Sequence, residues 1–264
     1  MIRLPSVALT ASPQKTLTDL QNLVDGVAEY EMRVAEGKRL FAQKSGSAAF
    51  HPIRKALGQM CAGARRCCYC EDSAATDIEH IWPKDFYPEL VFVWDNYLYG
   101  CPRCNRPKSN KCDVYTPDGQ RISVLHHVKI HDGPPEVGDP LLINPRLEDP
   151  MDFMKLDLCD TFFFLPHSAS ISKERATYTI DLLKLNAEDV LPAARYEAYE
   201  SYLARLEKYI DRKRKGALAK QLEPIVTSLK KMGHPTVWHE MKRQAKDILD
   251  LAELFEQVPE ALEW

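Results

Sequence analysis

Two short cysteine pairs constrain this chain more than anything else in its sequence. Cys67-Cys68-Tyr69-Cys70 and Cys101-Pro102-Arg103-Cys104 each contain a C-x-x-C. That spacing turns the backbone tightly enough for both sulfurs to face one point, and two such knuckles can present four thiolates tetrahedrally around Zn²⁺. Four thiolates leave no open coordination position, so the expected zinc is structural. The rival reading is four buried free cysteines behaving as small apolar residues. The repeated spacing and the polar flanks favour the metal. Residues 71–100 separate the knuckles, more than the loop of a simple zinc ribbon, so that stretch must hold structure of its own. The remaining cysteines, Cys61, Cys68, Cys112 and Cys159, are read as non-ligands, because Cys68 with Cys70 would make only a C-x-C.

The chain has 264 residues and a formal net charge of −3, enough for one large domain or two small ones with a sizeable core. No apolar run is long enough to span a bilayer, and "MIRLPSVALTASPQK" is too weakly apolar for a secretory signal. The expectation is a cytoplasmic protein, whose cysteines serve as ligands or core residues rather than disulfides. A slightly acidic total argues against non-specific coating of nucleic acid but leaves room for a local basic groove.

Apolar residues recur at helical spacing from Leu17 to Phe41, and a second helix is expected over "AAFHPIRKALGQM", stopped near Gly63. Between Cys67 and Cys112 the helical period vanishes. "ISVLHHVKI", "DPLLINPRLEDP" and "TFFFLP" read as short strands among turn-rich segments. Helical periodicity returns in "ERATYTIDLLKL", in a long helix carrying Tyr199, Tyr202, Leu206 and Tyr209 on one face, in a helix ending near Met232, and in a last helix from Val237 to Phe255. The expected class is α+β, with an N-terminal helical segment (1–60), a zinc-pinned core (61–115), a β-rich insertion and connector (116–185) and a C-terminal helical region (186–264).

Chemistry concentrates between and just after the knuckles. Glu79 and His80 are adjacent in "DIEHIWPKDFYP". Strand neighbours point to opposite faces, but at a strand end both can lean toward one site. A carboxylate suits a hard cation such as Mg²⁺ or Mn²⁺, and a neutral imidazole can take a proton from water near pH 7. Asn96 could orient that imidazole through its amide oxygen, and Asn105 offers a second oxygen ligand. The stretch "CPRCNRPKSNK" adds Arg103, Arg106, Lys108 and Lys111, which with Lys84 form a basic rim suited to phosphate.

At these residues, in the order E-H, N, C-x-x-C-N-x-x-K with a further C-x-x-C in front, the sequence resembles the HNH endonucleases, which share the ββα-metal (His-Me finger) fold. The resemblance implies that His80 is the general base, that Asn96 fixes its ring, and that Glu79 and Asn105 bind the catalytic cation. Members of that family more often carry Asp or His where Glu79 stands. A narrower resemblance rests on "CCYCEDSAATDIEHIWPK", "WDNYLYGCPRCNRPKSNK", "LLINPRLEDP" and "TIDLLKLNAEDVLPAAR". These segments are similar to the PtuB-like nuclease subunit of Septu and retron-associated phage-defence systems. That implies a nucleic-acid substrate, DNA ahead of RNA, and an ABC-type ATPase (PtuA-like) partner. The alternative function is a non-catalytic, zinc-stabilised nucleic-acid-binding or adaptor module. It explains the cysteines and the basic stretch but gives Glu79-His80 no task.

Other features have plainer readings. His126, His127 and His131 are expected on the surface. "DRKRKGALAK" reads as a solvated helix face, with a nucleic-acid-contacting face as the lesser alternative. Asp72, Asp77 and Asp85 lie near the site without an assigned role. In the tail "LAELFEQVPEALEW", Phe255, Leu262 and Trp264 are expected to dock, either on this chain's own core or, with slightly greater weight, on the ATPase.

Overall fold

The computed structural model describes residues 1–124, 133–135, 138–168, 170–187 and 190–264. Its elements are mixed, with helices and small sheets around a large apolar cluster that draws residues from Met1 to Ala261 and from all four sequence segments, and a small second cluster formed by Phe86, Tyr87, Cys112, Val114 and Val124. The N-terminal part forms α1 (Ala11–Asp25), α2 (Tyr30–Lys44) and α3 (His51–Met60). The single helical period read over Leu17–Phe41 is therefore two helices, broken where the Gly26 N–H closes α1 onto the Asn22 carbonyl. In α1, Leu17, Leu20 and Val24 face the core on successive turns, and Gln21 on the same face fastens the segment that follows the first knuckle. Its amide donates to the Pro88 carbonyl (3.0 Å) and accepts from the Phe92 N–H (2.8 Å). Gly37 lets α2 approach this segment closely, since a Cβ there would lie 3.0 Å from Val91 Cγ2.

The centre is β1 (Asp77–His80), β2 (Tyr97–Gly100) and α4 (Pro102–Lys108). The strands are antiparallel, with Glu79 opposite Leu98 and His80 opposite Tyr97. Pro102 opens α4 at a position where a missing N–H costs nothing. This β–β–α unit is flanked by a three-stranded sheet, β3 (Asp113–Tyr115) between β4 (Arg121–Ser123) and β5 (Asp139–Pro140), and by a hairpin of β6 (Met154–Leu156) and β7 (Phe164–Pro166). Only two residues of "DPLLINPRLEDP" are strand. The rest turns, because the Asn144 side-chain oxygen accepts the Arg146 N–H (2.9 Å) in an Asx-type turn. Arg146 then donates to the Tyr97 carbonyl (2.7 Å) and pairs with Asp95 (2.9 Å), tying the connector to β2. Of "ISVLHHVKI" the strand β4 keeps only Ile122 and Ser123. Most of its remainder, with His126 and His127, lies outside the described residues, as does His131 just after it.

The C-terminal half contains α5 (Ser170–Leu182), α6 (Leu191–Arg214), α7 (Ala219–Lys230), α8 (Pro235–Arg243) and α9 (Leu249–Gln257). The last helix expected from sequence is two, separated at residues 244–248, where the Gln244 amide donates to the Leu156 carbonyl (2.8 Å) and fixes the turn on β6. Tyr202 and Tyr209 are core residues, as their spacing predicts. The tail departs from the expectation that leaned toward a partner. Phe255 is buried, and the Trp264 ring meets Tyr209 edge-on at 4.7 Å, so both large side chains are spent on this chain's own helices. Leu262 remains partly exposed, at 39%. Among the described residues no helix is long and apolar enough to cross a membrane.

Candidate active site

The knuckles bring Cys67, Cys70, Cys101 and Cys104 together, all buried, with every sulfur within 4.8 Å of the others. A Zn–S bond of about 2.3 Å in a tetrahedron requires sulfurs about 3.8 Å apart. The Cys70 and Cys101 sulfurs are 3.7 Å apart. Backbone N–H groups of Tyr69 (3.4 Å) and Cys101 (3.3 Å) point at the Cys67 sulfur, as suits a thiolate. The four cysteines are thus positioned to hold a metal ion such as zinc, and the knuckles they close carry the ends of β2 and α4. Directly after Cys70, buried Glu71 accepts from the Thr236 N–H (3.0 Å) and hydroxyl (2.7 Å), so the first knuckle is also fastened to α8.

One cleft of about 450 Å³ runs along β1 and α4, lined among others by Glu79, His80, Lys84, Asn105 and Arg106. Glu79 and His80 occupy the end of β1 and are 4% and 6% exposed. The His80 ring packs edge-on against Phe41 (4.5 Å) and Tyr97 (5.1 Å). Its Nε2 lies 3.0 Å from the Val91 carbonyl, which also accepts from the Tyr97 hydroxyl (2.6 Å). A carbonyl can only accept, so Nε2 carries the proton and Nδ1 keeps its lone pair. Burial, helped by the positive charge of Lys84, pushes the imidazolium pKa down to about 3, so the ring is neutral at physiological pH.

Asn96 does not hold that ring. Its side-chain oxygen accepts the Trp82 N–H (2.7 Å), and its NH₂ donates to the Trp82 (3.0 Å) and Leu90 (2.9 Å) carbonyls. Asn96 therefore closes the loop between the strands, and that loop delivers the Val91 carbonyl to the imidazole. Asn105 faces the cleft from α4. Its NH₂ donates to Asp77 Oδ2 (3.1 Å), which leaves its carbonyl oxygen for another partner. Asp85 is engaged by Lys38 (3.1 Å) and Asn110.

Lys108 is the largest departure from the sequence reading. It belongs to no rim, being 1% exposed. Its ammonium lies 2.6 Å from Glu79 Oε1 and donates to the His80 carbonyl (2.8 Å). Asn105 and Lys108, three residues apart on α4, share the face turned to β1. The contact with Oε1 is an ion pair whose angle falls short of a well-aligned hydrogen bond. Burial raises the Glu79 pKa, against the pull of Lys108. The Glu79 carboxylate and the Asn105 amide oxygen line the same cleft and are oxygen donors of the kind a hard divalent cation takes. Of the other basic residues, Lys84 and Arg106 line the cleft, Lys111 is exposed and Arg103 is half-buried.

No family model and no solved structure match this sequence. The chain is similar to the Septu protein PtuB of Bacillus thuringiensis, with 28% identity over 177 residues, covering 65% of this chain and 56% of that protein. The chain thus spans about half the length of this curated relative.

The residues that sequence reasoning passed over are those that act through backbone or packing. The Val91 carbonyl leaves no trace in residue type, and Phe41 and Tyr97 read only as apolar. Asp77 has no role assigned by the sequence, and its placement against Asn105 follows from the pairing of Asp77 with Gly100 at the start of the hairpin. Ser109, which ends α4 at a φ of 46°, also lines the cleft. A non-glycine residue in such backbone is held there by its surroundings, often at a functional site.

Proposed function

We propose that this protein is a metal-dependent endonuclease of the HNH type that hydrolyses phosphodiester bonds in nucleic acid. It would serve as the effector of a Septu-like anti-phage defence system working with an ABC-type ATPase. The observation that carries the chemical part is the convergence of neutral His80, Glu79 and Asn105 on one cleft beside a four-cysteine cluster. The defence role and the ATPase rest on similarity to a protein named as a Septu component.

In this reading His80 accepts a proton at Nδ1 from the attacking water, while Val91 holds the ring through Nε2. Glu79 and Asn105 would hold Mg²⁺ or Mn²⁺, which when bound supplies charge stabilisation for the pentacovalent phosphorus and the leaving oxygen. Lys84 and Arg106 orient the phosphodiester backbone from the cleft walls, with Arg103 and Lys111 further along the same stretch. Lys108 neutralises Glu79 from within and holds the end of β1. Zinc at Cys67, Cys70, Cys101 and Cys104 keeps the unit folded and takes no part in the reaction.

The test is cleavage of plasmid, single-stranded DNA and RNA by the purified protein, alone and with the ATPase encoded beside it, with and without Mg²⁺ or Mn²⁺. Wild type should cut in a metal-dependent way. Asn105→Ala should need more metal, and His80→Ala should cut at least about a hundred-fold more slowly with unchanged zinc content. Binding of nucleic acid without any cleavage in all these combinations would favour the adaptor module instead.

A further inference from the structure

Beside the four-cysteine cluster lies a second pair of thiols with no part in it. The Cys61 and Cys68 sulfurs are 3.8 Å apart. Cys61 is the residue that ends α3, with extended backbone and a half-buried side chain, followed by a turn in which Gly63 has a φ of +52°. Cys68 is buried between the ligand positions Cys67 and Cys70, and its N–H donates to the Tyr99 carbonyl of β2 (3.0 Å). Both line a cavity of about 200 Å³. From these positions we infer that Cys61 and Cys68 form a modification site, a dithiol that a hydroperoxide converts reversibly to a disulfide while the metal ligands stay reduced.

The geometry supports each requirement. A disulfide needs sulfurs about 2.05 Å apart, so the gap closes by under about 2 Å, and the flexible partner is Cys61, at a helix end. The cavity brings a small oxidant up to both residues, and because Cys67 lines it as well, the sparing of that ligand rests on its engagement in the four-cysteine cluster. The Cys61 thiol ionises more readily than usual, because it shares a hydrogen bond with the Cys68 thiol and Arg65 adds positive charge. The four ligand sulfurs are engaged with one another and, when metal-bound, are poorer nucleophiles than a free thiolate.

The steps balance. The Cys61 thiolate attacks one oxygen of hydrogen peroxide, the O–O bond breaks, and the other oxygen leaves as water after taking a proton. Cys61 is then a sulfenic acid. The Cys68 sulfur attacks the Cys61 sulfur, the S–S bond forms, and the sulfenic oxygen leaves as a second water with the Cys68 proton. Two thiols lose two electrons and the peroxide gains them. The product ties the end of α3 to the knuckle that abuts β2.

The experiment uses the full, zinc-loaded chain carrying Cys159→Ser, because Cys159 is an exposed thiol that would react separately. Hydrogen peroxide at near-stoichiometric amounts is followed by alkylation, intact mass, peptide mapping and a colorimetric zinc assay. The expected product has lost two alkylatable thiols and about 2 Da, carries a single cross-link between Cys61 and Cys68, retains its zinc and is restored by dithiothreitol. Cys61→Ser should lose both the cross-link and the fast phase of oxidation. Cys68→Ser should stop at a Cys61 sulfenic acid that dimedone traps. If Cys68→Ser does not fold, Cys61→Ser decides alone, since its changed side chain is half-exposed at a helix end. Zinc release in step with the first thiols lost, a cross-link to any of Cys67, Cys70, Cys101 or Cys104, or unchanged oxidation of Cys61→Ser would overturn the inference.

Discussion

Replacing Lys108 by methionine keeps the length of the stem and removes its charge, which isolates what the buried ammonium does. Glu79 is 4% exposed and Lys108 1%, and the two lie 2.6 Å apart. Removing one partner of a buried ion pair costs about 3–5 kcal/mol, because the remaining charge is left without compensation. The His80 carbonyl also loses its donor, worth roughly 1 kcal/mol. The sum is capped, since Glu79 can escape by taking a proton. Burial already raises its pKa, and loss of Lys108 raises it further. Stability at neutral pH should therefore fall by about 3–5 kcal/mol. For a chain of this length that is a drop in Tm on the order of 6–20 °C. The pH dependence has a defined sign. A carboxyl whose folded pKa exceeds its unfolded value destabilises the fold increasingly as pH rises from the unfolded toward the folded value. The deficit of Lys108→Met should thus be smaller at about pH 5.5 than at about pH 8. The double variant Glu79→Gln/Lys108→Met should recover most of the loss, as replacing both members of such a pair often costs little. Mn²⁺ should raise the Tm of Lys108→Met more than that of wild type, because Glu79 has lost its paired ammonium and keeps only the more distant charge of Lys84. Thermal unfolding at fixed zinc, with and without Mn²⁺, measures all of this. A Lys108→Met protein within about 2 °C of wild type, with the same response to Mn²⁺ and pH, would refute the reasoning.

His80→Ala should lower cleavage on the order of a hundred- to ten-thousand-fold while helicity and zinc content stay unchanged. His80 should contribute no acid limb to the rate between about pH 5 and pH 8, because its pKa is held down to about 3. A folded pKa below the unfolded one makes the native state lose stability as pH falls from about 6.5 toward 3, and His80→Phe should flatten that loss in acid titrations followed by circular dichroism. Cys104→Ser should yield insoluble or unfolded chain, and elemental analysis should find zinc in wild type and none in the variant, since metal binding at such sites is folding energy. Asn96→Ala should destabilise by roughly 2–4 kcal/mol, given three hydrogen bonds lost in a buried loop. It should also speed amide exchange across residues 82–91, and unchanged exchange there would remove Asn96 from its role as the clasp of the loop.

What was legible in the sequence is what local spacing dictates. Each C-x-x-C fixes its own turn, so the gathering of the four cysteines needed only the assumption that both knuckles serve one ion. Glu79 and His80 share a strand end by adjacency, and Asn105 follows the second knuckle by one residue. What was not legible depends on burial and on backbone atoms. A lysine in "CNRPKSNK" looks like its basic neighbours, and nothing in residue type distinguishes the one that α4 turns inward against β1. Its offset of three from Asn105 was the available signal, because residues so spaced on a helix share a face. The partner of His80 was misassigned for a similar reason. An asparagine side chain is visible in sequence and a carbonyl is not, so the expectation gave Asn96 a bond that Val91 makes. The two are nonetheless coupled, since Asn96 ties Trp82 to Leu90 and the next residue in the chain is Val91. α1 reaches the same segment through Gln21, and α2 reaches it over Gly37. The N-terminal helices thus set the position of the carbonyl that fixes the tautomer of His80. Their contribution to the site is mechanical and long-range, which is why helical periodicity alone could identify the helices but not their task. A substitution such as Gly37→Val, remote from the cleft in sequence, should therefore disturb His80 by pushing Val91 away.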